Sequence, residues 1–85
     1  VKVWHDGRDT AVRLRLRDWR AAVDLLPPSY ELEGFRLVAA TIRNDQHGAR
    51  CSATFTFRSL RRDGPRLDES PGWTAWIALA ESLRR

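Results

Sequence analysis

Between Ala11 and Arg17 the chain reads Ala-Val-Arg-Leu-Arg-Leu-Arg, an apolar residue and an arginine in strict alternation. Successive side chains of a strand point to opposite faces, so this period of two predicts a strand from Thr10 to Arg17 with Val12, Leu14 and Leu16 on one face and Arg13, Arg15 and Arg17 on the other. Val1 to His5 alternates in the same way, and the Asp6-Gly7-Arg8-Asp9 segment that follows carries the Asp-Gly step of hairpin turns. The two runs therefore form an antiparallel hairpin. At Asp18 the period changes. Trp19, Ala22, Val23 and Leu26 fall at i, i+3, i+4 and i+7, the inward stripe of a short helix with Asp18 as its N-cap, which Pro27-Pro28 ends.

The second half repeats the plan. Phe35 to Asn44 reads as a third strand and Ala49 to Leu60 as a fourth, joined by Asp45-Gln46-His47-Gly48, whose glycine suits a turn. In the fourth strand Cys51, Ala53, Phe55 and Phe57 share one face; Arg50, Ser52, Thr54, Thr56 and Arg58 share the other. Strict alternation in the third strand puts Phe35, Leu37 and Ala39 on one face and Arg36, Val38, Ala40 and Ile42 on the opposite one, a strand apolar on both sides and hence expected at the centre of the sheet or covered twice. Arg61 to Glu69 is a polar loop. Ser70-Pro71 then supplies an N-cap and a first-position proline, and Trp73, Trp76, Ile77, Ala80 and Leu83 form the inward stripe of a last helix, with Asp68 and Glu69 near its positive end and Arg84 and Arg85 near its negative end. The predicted fold is α+β, in ββαββα order, with a mainly antiparallel four-stranded sheet and both helices on one face. Trp19, Trp73, Trp76, Leu14, Leu16, Phe55 and Phe57 are expected to be buried together.

At 85 residues the chain, 1–85, is a single small domain, and its 42% hydrophobic content with four Trp and three Phe is enough for one core. It begins with Val, which suggests a domain processed or excised from a longer protein. No apolar run approaches the ~20 residues of a membrane helix. One cysteine and no signal-like segment make a reducing, cytoplasmic setting the expectation, with no membrane partner. Fifteen basic residues against eleven acidic give a net charge of +4. All but Lys2 of the basic residues are Arg, a bias that a GC-rich bacterial coding sequence produces without functional cause, so the placement of charge carries more weight than its sum.

Candidate chemistry is sparse. His5-Asp6, Asp45, His47 and Cys51 are the only groups suited to a nucleophile, a base or a metal ligand, and the two hairpin turns are expected at opposite ends of the sheet, roughly 15 to 20 Å apart. No phosphate loop, Ser-His-Asp order or Cys-x-x-Cys occurs. Cys51 belongs to the apolar face of its strand and reads as a small core residue. Neither an enzyme, nor a cofactor, nor a metal site is therefore expected. The outer sheet face is richer: Trp4, Arg13, Arg15, Arg17, Arg50 and Arg58 are expected to project from it together. A solvated face whose arginines lie over threonines would look the same. The functional expectation is a non-enzymatic protein-interaction domain that docks an acidic partner or a second copy of itself, since interfaces favour Trp and Arg. Nucleic-acid binding through the same face is the alternative, weakened by one outward aromatic where sheet platforms use two or three.

Overall fold

A computed structural model gives the structure of residues 1–26, 32–44 and 50–85. Strands β1 (Lys2–Asp6) and β2 (Asp9–Leu16) lead into helix α1 (Trp19–Asp24). Strands β3 (Phe35–Asn44) and β4 (Cys51–Ser59) lead through a 3-10 turn at Leu67–Glu69 into helix α2 (Pro71–Ser82). All pairings are antiparallel and the order across the sheet is β1-β2-β4-β3. This is the predicted α+β architecture, with β2 and β4 at its centre.

Each element follows from a local cause. The first hairpin closes through Gly7 at φ 60°, the left-handed geometry that a II′ turn needs at its first central position. Asp18 caps α1, accepting from the Ala21 amide at 2.9 Å. Pro71 occupies the first position of α2 as expected, but Ser70 does not cap it with its side chain: its hydroxyl donates to the Leu67 carbonyl at 2.7 Å and closes the preceding 3-10 turn instead. Asp68 and Glu69 belong to that turn, and Arg84 and Arg85 lie beyond the end of α2, so α2 carries no acid in its first turn and no base in its last.

The core lies on one face of the sheet, where Val12, Leu14, Leu16, Cys51, Ala53, Phe55 and Phe57 meet Ala21, Ala22 and Leu25 from the α1 region and Trp76, Ala80 and Leu83 from α2. Trp76 is fully buried and meets Phe55 and Phe57 edge-on, with ring centroids 5.6 and 5.5 Å away. Its indole N–H donates to the Leu25 carbonyl at 3.2 Å, tying α2 to the end of α1. Trp73 packs half-buried beside it. The Cys51 thiol is buried, as its strand face implied, and donates to the Asp18 carbonyl.

Two expectations are corrected. Trp19 is not core: it is 56% exposed, as Val23 also is at 44%, and the buried side of α1 is formed by Ala21 and Ala22, followed by Leu25. A six-residue helix has fewer than two turns, so adjacent stripes fit its sequence equally well; the paired alanines let the backbone approach the sheet closely, which a tryptophan would prevent. The third strand is neither central nor covered twice. β3 is an edge strand, and its register on β4 shifts between Leu37 and Ala39, leaving Val38 as the extra residue of a β-bulge. Before the bulge Phe35 and Leu37 lie on the core face; after it Ala40 and Ile42 do, opposite Phe55 and Ala53. The Pro27-Pro28 stop and the Asp45 to Gly48 turn fall outside the described residues.

Candidate partner-binding face

Among the described residues the face opposite the core is uncovered, because the helical members of the core all meet the other side of the sheet. Register arranges the uncovered face in rows. At the end nearest the first hairpin turn lie Asp6, Asp9, Arg58 and Arg36; next come Trp4, Ala11, Thr56 and Ala39. Lys2, Arg13, Thr54 and Thr41 form the third row, and Arg15, Ser52 and Arg43 the fourth. The middle of the face is thus a shallow floor of Ala, Ser and Thr.

Charge is divided along it. In the first row Arg58 is held by Asp9 through two hydrogen bonds of 2.9 and 3.3 Å. That guanidinium draws the Asp9 carboxyl below the ordinary carboxylate range, by hydrogen bonding first and Coulomb attraction second, and Asp9 raises Arg58 in return by the same two effects. Asp6 and Asp9 are the acidic members of the four rows. The third and fourth rows carry Lys2, Arg13, Arg15 and Arg43, all exposed. Trp4 is half-buried beside them, with Arg13 5.5 Å and Lys2 5.8 Å from its ring centroid, within cation-π range.

The residues expected to act together are therefore placed unequally. Trp4, Arg13 and Arg15 form one cluster. Arg58 sits four residues along β4 from Thr54, roughly 14 Å at the rise of a strand, with its charge matched. Arg17 follows the end of β2, its amide bonded to the Leu83 carbonyl at 3.1 Å and its guanidinium 3.9 Å from Asp18. Arg50 is exposed and precedes β4. Arg43 lies on the outer face, across Ser52 from Arg15, although simple alternation gave it to the core side; Ala40 and Ile42 move the other way, and the bulge at Val38 is the reason for both changes.

Beside the cluster, β1 begins at Lys2 and its pairing with β2 ends at Arg13, leaving Leu14 and Arg15 without a β1 partner. A cleft of about 350 Å³ opens there, lined by Lys2, Arg13 and Arg15 on the sheet side and by Ala80, Glu81 and Arg84 from the C-terminal end of α2 and beyond. Glu81 lies 3.7 Å from Arg84, so the cleft retains a cationic surplus.

The groups suited to catalysis are arranged otherwise. His5 Nδ1 is 3.1 Å from the Thr10 hydroxyl and Nε2 is 3.6 Å from Asp68. The order hydroxyl, imidazole, carboxylate resembles a nucleophile relay, but Thr10 is only 4% exposed, and a nucleophile must reach its substrate. The three residues join β1 and β2 to the 3-10 turn. Among the described residues no group of three or more His, Cys, Asp or Glu side chains could hold a metal ion, and no helix is long and apolar enough to cross a membrane. His47 lies outside the described residues. The chain matches no family model, no curated protein and no solved structure.

Proposed function

We propose that the domain works by binding, not catalysis, and that its uncovered sheet face docks an acidic segment of a protein partner. The observation that carries this reading is the cluster of Lys2, Arg13 and Arg15 around Trp4, with Arg43 across the sheet in the same row as Arg15, on a face of small residues that no helix covers among the described residues. Guanidinium groups recognise carboxylates by paired hydrogen bonds, and a flat Ala/Ser/Thr floor lets a segment of backbone lie close to the sheet. The cleft beside Leu14 offers room for an acidic side chain.

Nucleic acid is the competing ligand. Two features favour protein. The Trp4 ring already has cations against it at 5.5 and 5.8 Å, which leaves it poorly disposed to stack on a base. Asp6 and Asp9 confine the cationic surface to half of the face, whereas a phosphate backbone needs a continuous track.

The test offers the protein a Glu-rich peptide and a single-stranded oligonucleotide of equal charge at several salt concentrations. The peptide should bind more tightly, and the Arg13→Glu/Arg15→Glu variant should lose at least tenfold in affinity while circular dichroism stays that of the parent, because exposed substitutions shift stability by about 0.5 kcal/mol. Preferential oligonucleotide binding with a steep salt dependence, or full peptide binding by the folded double variant, would overturn the reading.

A further inference from the structure

We infer that the chain forms a two-fold dimer by pairing β3 with β3 of a second copy, in an antiparallel register centred on Thr41. The inference is independent of what the cationic face binds.

Of the six large apolar side chains exposed among the described residues, Val38 and Ile42 belong to β3 and Trp19 and Val23 to α1, which packs against β2, β3 and β4; Val1 and Leu60 lie elsewhere. Among the described residues β3 is hydrogen-bonded to β4 on one side only, and Ala40 and Ile42 lie on the core face of the sheet yet are exposed, so the described helices end short of this edge. Soluble proteins blunt such edges with charge, proline, bulges or short strands. β3 is ten residues long and bulged at Val38, but Val38-Ala39-Ala40-Thr41-Ile42 contains neither charge nor proline and the five residues from Ala40 to Asn44 pair regularly.

Symmetry then selects the register. Two antiparallel copies of one strand in a continuous sheet are related by an axis perpendicular to it, which passes between identical residues and keeps outer faces together. About Thr41, Ala40 meets Ile42 on the core face, Ala39 meets Arg43 on the outer face and Thr41 meets its own copy, a favourable cross-strand pair. About Ala40, once the bulge is counted, Arg43 would oppose Arg36, which like charge disfavours. About Ala39, the two bulges would flank the axis and break the ladder at its middle. Centres beyond Thr41 shorten the overlap.

The same axis puts both α1 helices on one side of the joined sheet, with the exposed Trp19 and Val23 of each copy on that side of the seam. The product is a sheet of twice the width, with both cationic faces on its other side.

Sedimentation equilibrium across concentrations should give twice the 9.8 kDa chain mass. Thr41→Lys, an exposed edge substitution that opposes two like charges at the axis, should weaken the dimer at least tenfold, and an equal mixture with Thr41→Glu should restore it. Paired residues on neighbouring antiparallel strands have Cα atoms ~4.5 to 5.5 Å apart, within disulfide range, so Thr41→Cys should cross-link rapidly on oxidation. Arg43→Cys, displaced from its own copy, should not; the parent, whose Cys51 is buried, is the control. A monomer at every concentration, leaving the edge to another chain, would overturn the inference. So would a dimer indifferent to Thr41→Lys, or equal cross-linking through Arg43→Cys.

Discussion

Replacing Trp76 with Phe removes a side chain that joins α2, the end of α1 and the sheet. The indole N–H bond to Leu25 disappears, leaving a buried carbonyl without that donor, at about 1 to 3 kcal/mol. The smaller ring also vacates a fully buried site edge-on to Phe55 and Phe57, the loss of about two methylene equivalents at ~0.8 kcal/mol each. Together these give about 3 kcal/mol, a large part of the stability of so small a domain. At about 4 to 8 °C per kcal/mol the midpoint of thermal unfolding should fall by about 12 to 24 °C. Urea unfolding followed by far-UV circular dichroism measures the change free of the altered tryptophan signal. Trp73→Phe is the internal comparison: Trp73 is half-buried and should lose about 1 kcal/mol. A Trp76→Phe loss below 1 kcal/mol, or no larger than that of Trp73→Phe, would refute the placement of Trp76 at the junction of helices and sheet.

Two further outcomes follow from the register and from the Asp9 ion pair. Deleting Val38 removes the bulge and leaves every other β3 residue on its observed face, so the deletion should fold with a stability change within about 1 kcal/mol, whereas deleting Thr54 shifts half of β4 by one residue and should abolish cooperative unfolding. Asp9, held low by Arg58, should titrate below the ordinary carboxylate range in a carbon-detected NMR titration and return towards it in Arg58→Gln. Because the folded pKa is the lower one, the contribution of the pair is present above the unfolded-state pKa and is lost as pH falls through the folded value, so Arg58→Gln should matter at neutral pH and vanish in strong acid.

β2 and β4 are legible because each has a period of two long enough to exclude the alternative, and Val12, Leu14, Leu16, Phe55 and Phe57 fall on the core face as their alternation requires. α2 is legible for the same reason at period 3.6: over twelve residues and the C-cap that follows, Trp76, Ala80 and Leu83 admit one stripe. α1 is too short to do so, and Trp19 goes outward. The bulge has no local signature. Val38 is neither glycine nor flanked by one, and the shift becomes visible only when Leu37 and Ala40 are both seen facing the aromatic side of β4. That single extra residue governs the candidate site, since it brings Arg43 to the outer face and takes Ala40 and Ile42 from it. The ion pair that neutralises Arg58 depends on the pairing of β2 with β4, a contact between residues 49 apart that alternation along either strand cannot reveal.

Chemical-shift mapping of a Glu-rich peptide onto the backbone amides tests the central claim most directly. Binding at the cationic half of the uncovered face should shift the amides of Lys2, Trp4, Arg13, Arg15, Thr54 and Arg43, with those around Asp6, Asp9 and Arg58 much less affected. Shifts confined to the Arg61 to Glu69 segment, or no saturable shifts at millimolar peptide, would contradict the assignment of this face as the binding surface.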